Sequence, residues 1–176
     1  MARTFSPEER DTIRQTLLSE GANLFSRYGL LKTSIADLTR AAGIAQGTFY
    51  AFFSSKEELL FTILEEQETS IRDTFVDTMF GQGVTPASIT NALCDAFALF
   101  SKNPLLAHTL DQEVMTRIMR KLPPERLAAH RLQDARGVRE PLRRAQQEGT
   151  IRQDADVEEL IALFRVIMMT PLMVDQ

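Results

Sequence analysis

The chain has 176 residues with 20 basic and 24 acidic side chains, and its formal net charge of −4 taken alone argues against a general nucleic-acid binder. A chain of this length can bury enough apolar surface to hold one compact fold without disulfides or a structural metal. One cysteine, Cys94, excludes an internal disulfide, and two histidines are too few for a structural zinc site, so we expect neither metal nor cofactor.

The apolar runs are too short for a membrane helix. The longest uninterrupted runs have five residues, whereas a helix that spans a bilayer needs about 18. The start of the chain lacks the charged-then-apolar pattern of a secretory signal. We therefore expect a cytoplasmic protein with no membrane partner.

The first helix is predicted from its capping residues. Ser6, Pro7 and Glu9 form a signature in which the serine caps, the proline occupies the first turn and the glutamate returns a hydrogen bond. Apolar residues then recur at helical spacing over about 22 residues. Gly29 is placed to end this helix.

Two short helices are predicted next. Ser34 and Asp37 form a second capping signature, for a helix through Ala42 that Gly43 ends in a left-handed conformation. A third helix is predicted near residues 46–52. A short helix, a glycine-containing turn and a second short helix form the arrangement that places the second helix in the DNA major groove.

Longer helices are predicted after this pair. Ser55 and Glu58 form a third capping box, for a long helix that reaches Phe80. Prolines that follow a Thr, Asn or Leu predict the starts of further helices, at Pro86, Pro104 and the pair Pro123-Pro124.

The last part of the chain is also helical by pattern. We expect a kink around Gly137 and Pro141, because an interior proline removes a helical hydrogen bond. Gly149 is placed to end that helix, and Asp156 to cap a final one. The sequence shows no strand pattern, so we predict an all-α fold.

A local excess of positive charge accompanies the two short helices. Between Leu24 and Lys56 four basic residues stand against Asp37 alone, a net charge of +3. Attraction to phosphates acts over about 8 to 10 Å in physiological salt, so the local excess matters more than the total charge. A solvated surface explains the same charges, and charge by itself leaves both interpretations open.

Residues 10 to 60 resemble the DNA-binding domain of the TetR family of bacterial transcriptional regulators. The resemblance rests on Ala22, Phe25, Gly29, Thr33, Leu38, Ala42-Gly43-Ile44, Gly47-Thr48-Phe49-Tyr50, Phe53, Ser55-Lys56-Glu57 and Leu59. It implies a three-helix helix-turn-helix domain over residues 1–55, joined by a long fourth helix to a helical ligand-binding and dimerisation bundle over residues 56–176. It also implies a regulator rather than an enzyme.

The resemblance and the chemistry of the side chains together predict the contacts with DNA. A tyrosine such as Tyr50 commonly binds a phosphate in the family, and a glutamine such as Gln46 can bridge N6 and N7 of adenine. The predicted DNA-binding residues are Thr33, Ser34, Arg40, Ala45, Gln46, Gly47, Thr48, Tyr50 and Lys56. Three departures from the family pattern are Ala45, where a serine often caps the recognition helix, Phe52, which replaces a frequent histidine, and Thr39, which replaces a frequent alanine on the second helix.

The family also implies an effector pocket and a homodimer. Soft, polarizable and aromatic side chains, which could equally fill a core, are the predicted contacts of an apolar or amphipathic effector: Cys94, Phe97, Phe100, His108, Met115 and Met119. The last two long helices would form the dimer seam, through Leu142, Ala145, Leu160, Phe164, Ile167 and Met168. The expected function is a ligand-responsive repressor whose dimer binds a palindromic DNA operator.

Two other functions are alternatives to this one. The acidic total and Ala45 would suit a small-molecule-binding helical protein that has lost DNA binding, which steep salt dependence of DNA binding would exclude. The sequence gives little support for an enzyme, because no G-x-S-x-G elbow, phosphate loop or H-E-x-x-H motif occurs and we identify no catalytic residues.

Overall fold

The computed structural model describes residues 5–81, 83–109 and 111–169, and the regular structure within them is entirely helical, as predicted. In chain order the helices are α1 (Pro7–Lys32), α2 (Ile35–Ala41), α3 (Gln46–Phe49), α4 (Lys56–Phe80), α5 (Pro86–Ser101), α6 (Pro104–Thr109), α7 (Gln112–Lys121), α8 (Pro124–Gln147) and α9 (Val157–Met169). None of the helices among these residues is both long and apolar enough to cross a membrane.

The chain forms two compact units. The first comprises Met1–Glu65 and Pro104–Pro123, and the second comprises Glu66–Asn103 and Pro124–Gln176. In the first unit α1 packs against α2 and α6, and α2 packs against α3. Its fully buried side chains include Leu17, Phe25, Leu30, Leu38, Phe49 and Leu59. The division of the chain at residue 55 into two functional domains stays a prediction.

The start of α1 confirms its predicted cap. The hydroxyl of Ser6 accepts from the backbone N–H of Glu9 at 3.2 Å, and the Glu9 carboxylate accepts from the Ser6 N–H at 2.9 Å. Gly29 adopts a left-handed conformation with φ of 75°, which breaks the regular helix where the sequence placed its end. Helical hydrogen bonding nevertheless resumes to Lys32, so α1 has 26 residues rather than the shorter length expected.

Helix α2 forms as predicted, whereas α3 is shorter than predicted. Ser34 caps α2 through a reciprocal box with Asp37, and Gly43 has φ of 67° after the helix end. In contrast, α3 has four residues, and the chain passes through turns before α4 begins. Ala45 supplies no side-chain hydrogen bond at the start of α3, and Gly47 lies within it. Both features disfavour a longer helix.

The third capping box is displaced by one residue. Ser55 accepts from the N–H of Glu58 at 3.1 Å, as predicted. The Glu58 carboxylate, however, accepts from the backbone N–H of Ser54 at 2.7 Å and from its hydroxyl at 2.6 Å. The Glu58 carboxylate therefore bonds to Ser54, the residue before the one that the sequence predicted.

Prolines begin α5, α6 and α8, as predicted. The sequence did not predict α7 as a separate helix, although the Asp111 side chain caps it by accepting from the N–H of Glu113 at 2.8 Å. Helix α8 continues through Pro141, and the expected kink stays a prediction. Gly149 has φ of 74° after α8, and Asp156 accepts from the N–H of Glu158 at 2.7 Å at the start of α9.

Candidate nucleic-acid interface

The pair α2 and α3 is held by a small buried core. Leu38 and Phe49 are fully buried, and Ile35, Ala42 and Ile44 are partly buried around them. Because α2 packs directly against α3, this core fixes how α3 is presented.

Helix α3 and its two flanking residues carry five of the residues that the sequence predicts to contact DNA. We define the reading surface as Ala45, Gln46, Gly47, Thr48 and Tyr50. Thr48 is partly buried, the other four are exposed, and the Tyr50 side chain retains 58% of its accessible surface. Outside the local helix backbone and the chain neighbours of Gly47, no described residue comes within 4 Å of where a Cβ would lie, so another molecule could approach the backbone closely there.

Tyr50 is exposed, but its ring packs against a buried side chain. Its ring meets the buried ring of Phe49 edge to face, with centroids 5.6 Å apart. Phe49 in turn lies 6.0 Å from Phe53. An aromatic ring supported in this way keeps its hydroxyl directed outward at a small cost in side-chain entropy.

The start of α2 is a hydrogen-bonded cluster. The Ser34 hydroxyl donates to the Asp37 carboxylate at 2.5 Å, and Arg40 pairs with the same carboxylate at 3.0 Å. The hydrogen bonds from Ser34, and to a smaller extent the charge of Arg40, hold the pKa of Asp37 below its usual range. Ser34 and Arg40 are both exposed, so both can meet a phosphate, although the Asp37 carboxylate partly offsets the charge of Arg40.

Thr33 and Lys56 direct their polar side-chain atoms at backbone carbonyls. Thr33 is 2% exposed, and its hydroxyl donates to the carbonyl of Gly29 at 2.8 Å. The ammonium of Lys56 is partly buried and donates to the carbonyls of Leu30 and Thr33, each at 2.7 Å. The structure therefore does not present these two groups as free phosphate ligands, because their donors are directed at the backbone.

A contact that the sequence did not predict supports the chain after α3. Arg10 donates to the carbonyl of Ala51 at 3.3 Å, and its guanidinium lies 5.0 Å from the centre of the Phe52 ring. Phe5 approaches the same ring, with centroids 6.4 Å apart. These residues are separated by about forty positions in sequence, so no local pattern could reveal the contact. Phe52, noted in the sequence as a departure from the family, thus has a packing role.

Three of the four predicted effector-binding residues whose side chains the structure describes are exposed. Cys94 is exposed and Phe97 is partly buried on α5, whereas Met115 and Met119 are exposed on α7. The side chains of Phe100 and His108 lie outside the described residues. Exposed side chains do not form the wall of a closed cavity, so the effector site stays a prediction.

The predicted dimer seam needs a correction for two residues. Leu142 is 4% exposed and Ala145 is 2% exposed within a single chain, where Leu142 packs with Val138 and Ile161. Leu160 is partly buried against the same cluster. The two buried residues offer almost no surface to a second copy, because their own chain already covers them. The side chains of Phe164, Ile167 and Met168 lie outside the described residues.

Other apolar side chains are exposed on the same two helices. Leu132 on α8 and Leu163 and Val166 on α9 each retain more than half of their accessible surface.

The described residues contain no group of three or more side chains suited to hold a metal ion.

Comparison with known proteins finds similarity in the region around the reading surface. Residues 17–63 match the family model described as bacterial regulatory proteins, tetR family. The uncharacterized HTH-type transcriptional regulator YvdT of Bacillus subtilis is 36% identical over 75 residues, which cover 43% of this chain and 39% of that protein. The HTH-type transcriptional repressor KstR2 of Mycolicibacterium smegmatis is 34% identical over 77 residues, which cover 44% of this chain and 34% of that protein.

The similarity of the whole chain is one of fold. The crystal structure of a putative TetR-family transcriptional regulator from Syntrophomonas wolfei gives a TM-score of 0.67 at 17% identity, over 93% of this chain and 82% of that one. At this identity the match shows a shared fold. The chain covers well under half of the length of these curated relatives.

Proposed function

We propose that this chain, whose residues 17–63 match the tetR family model of bacterial regulatory proteins, belongs to that family and that the whole protein is a transcriptional regulator that binds operator DNA. It acts in the cytoplasm as a homodimer, and most simply as a repressor. The name of the KstR2 relative, a repressor, supports the direction of regulation.

The exposure of the reading surface carries this proposal. Four of its five residues are exposed while Phe49, in the same short helix, is fully buried, so α3 has one face for packing and another for a ligand. A recognition helix needs this division, because its outward side chains contact base edges and phosphates in the major groove. Gln46 supplies an amide for adenine, and Tyr50 supplies a hydroxyl for a phosphate.

A homodimer would place two such surfaces on adjacent half-sites. Half-sites separated by about one helical turn, or a multiple of it, match a two-fold symmetric protein and a palindromic operator. The exposed apolar residues Leu132, Leu163 and Val166 support a seam on α8 and α9, in place of the buried Leu142 and Ala145. An isologous contact between the same helices of two copies would cover them.

An apolar or amphipathic small molecule would release the operator. Such an effector and the DNA must weaken each other's binding by an equal coupling, typically about 1 to 3 kcal/mol. The family resemblance and the apolar helix α5, which carries Cys94 and Phe97, support this part of the proposal.

Selection of bound fragments from random duplex DNA tests the proposal. We expect the full chain to enrich one palindromic sequence, with affinity that falls steeply with salt because phosphates are neutralised. Light scattering of the free protein should give twice the chain mass. If no sequence is enriched and the residual DNA binding is insensitive to salt, the protein is instead a small-molecule-binding helical protein that has lost DNA binding.

A further inference from the structure

Lys56 faces a cluster of backbone carbonyls rather than open solvent. Its ammonium donates to the carbonyl oxygens of Leu30 at 2.7 Å, Thr33 at 2.7 Å and Leu31 at 3.4 Å. An ammonium group has three N–H donors, and three acceptors therefore surround it. These carbonyls belong to the end of α1 and to the residue that follows it, 23 to 26 positions before Lys56.

The position of Lys56 gives this contact an electrostatic rationale. A cation in the first turn of α4 is disfavoured by the helix dipole, whereas the last turn of α1 concentrates partial negative charge on its carbonyls. Placing the ammonium of one helix start against the carbonyls of another helix end removes the mismatch. It also satisfies carbonyls that the end of α1 leaves without helical partners.

A phosphate would have to compete with these carbonyls. Lys56 is partly buried, burial lowers its pKa, and the positive charge of Arg117 lowers it further, while Glu57 acts in the opposite direction. Moving the ammonium to a phosphate would leave the carbonyls of Leu30 and Thr33 without a charged donor, at a cost similar to the gain. The contact seen in the free protein thus disfavours a direct phosphate role.

The segment held by Lys56 leads directly into α2. Thr33 is buried there and donates through its hydroxyl to the carbonyl of Gly29, while Ser34 begins the capping box of α2. Lys56 is the first residue of α4, so its side chain ties the start of α4 to the start of α2. Since α2 packs against α3, the direction in which α2 leaves this junction sets the position of the reading surface.

We propose that Lys56 is a positioning residue, which fixes the junction of α1 and α2 against the start of α4 and thereby presents the reading surface, without neutralising a DNA phosphate. This proposal rests on the proposed function for its effect on DNA. Its structural part concerns the free protein and can be measured without DNA.

The first test compares Lys56→Gln with Lys32→Gln in the full chain. Lys32 is an exposed lysine in the last turn of α1, so the control removes the same charge close to the same junction. Hydrogen exchange of the backbone amides of residues 34–38 is measured in the free proteins. We expect exchange to accelerate at least about tenfold in Lys56→Gln, the effect of losing a hydrogen bond to a charged group, and to stay unchanged in Lys32→Gln.

The second test measures affinity for the enriched duplex over a range of salt concentrations. Loss of a phosphate ligand would reduce the magnitude of the log–log slope by about 0.9, whereas loss of a positioning residue weakens binding at an unchanged slope. We expect the second result for Lys56→Gln. A slope reduced by about 0.9 with unchanged amide exchange would overturn the proposal.

Lys56→Arg keeps the test decisive if the glutamine variant does not fold. A planar guanidinium cannot direct three donors to three carbonyls around one point, yet it binds phosphate at least as well as an ammonium. We expect faster exchange at residues 34–38 and weaker DNA binding. Unchanged exchange with equal or tighter binding would identify Lys56 as a phosphate ligand. If the parent protein binds no DNA, the proposed function fails while the exchange comparison still decides the positioning role.

Discussion

Replacing Tyr50 with phenylalanine separates the role of its hydroxyl from the role of its ring. The side chain is 58% exposed and its ring packs edge to face on Phe49, so Tyr50→Phe keeps the packing and removes one exposed oxygen. We therefore expect the free energy of unfolding to change by less than about 0.5 kcal/mol. A change of that size leaves the reading surface intact.

The expected loss is in DNA binding. A hydrogen bond from the tyrosine hydroxyl to a phosphate has a charged acceptor and is worth about 1.5 to 3 kcal/mol. That range corresponds to roughly 10-fold to 150-fold weaker binding. The loss should be similar for the enriched operator and for unrelated duplexes, because phosphates carry no sequence information. The slope of affinity against salt should not change, since the hydroxyl is uncharged.

The assay is a fluorescence anisotropy titration of labelled duplexes, with Tyr28→Phe as the matched control. Tyr28 is the other tyrosine of the chain, is 56% exposed, and lies on α1 outside the reading surface. We expect Tyr28→Phe to bind like the parent protein. Equal affinities of Tyr50→Phe and the parent, or equal losses in both variants, would refute the phosphate role of Tyr50.

Three further changes test the site and its support. Gln46→Ala should relax preference at a single base step by about 1 to 3 kcal/mol, checked by affinities for single-base variants of the operator; a uniform loss over all variants would contradict base contact. Phe49→Ala should lower the free energy of unfolding by about 3 to 5 kcal/mol in a denaturant titration, because the ring is fully buried, and a loss under 1 kcal/mol would contradict this. Ser34→Ala should raise the pKa of Asp37 toward its usual value, followed by NMR titration, because Ser34 is the main cause of its lowering. Because the pKa of Asp37 is lower in the folded than in the unfolded protein, its carboxylate stabilises the folded protein at pH values above the unfolded pKa. This stabilisation is lost as pH falls through the folded pKa, and the variant should lack it.

Features encoded over a few residues could be predicted from the sequence. The caps at Ser6 and Ser34 and the left-handed conformation of Gly43 form as expected, whereas α1 continues past Gly29 to Lys32. Each depends on hydrogen bonds or torsion angles within one helical turn, so neighbouring residues are sufficient to determine it. The start of α4 shows the limit of such patterns, because the Glu58 carboxylate reaches Ser54 instead of Ser55.

The roles of charged side chains depended on distant partners and could not be predicted. The sequence predicts Lys56 as a phosphate ligand, a role that stays a prediction, but it could not reveal that the ammonium contacts carbonyls more than twenty positions away. Arg10 reaches Ala51 across 41 positions. The partners of a charged residue are found from the three-dimensional structure, whereas sequence spacing predicts only partners on the same helix.

An apolar stripe did not reveal which partner covers it. Leu142 and Ala145 lie on the apolar stripe of α8, and the sequence placed them at a seam between two copies. The structure covers them within one chain instead, Leu142 by contact with Val138 and Ile161. Burial against a neighbouring helix and burial against a second copy produce the same spacing of apolar residues. Structure is needed to tell the two apart.

Methyl NMR of the protein saturated with its enriched duplex tests most directly whether the reading surface contacts DNA. Ala45 is exposed and Thr48 is partly exposed on this surface, whereas Ala92 is fully buried on α5 and serves as the internal reference. We predict that duplex binding shifts the methyl resonances of Ala45 and Thr48 and that Tyr50→Phe weakens this binding. Saturable binding of the duplex with both methyl resonances unmoved would contradict the account.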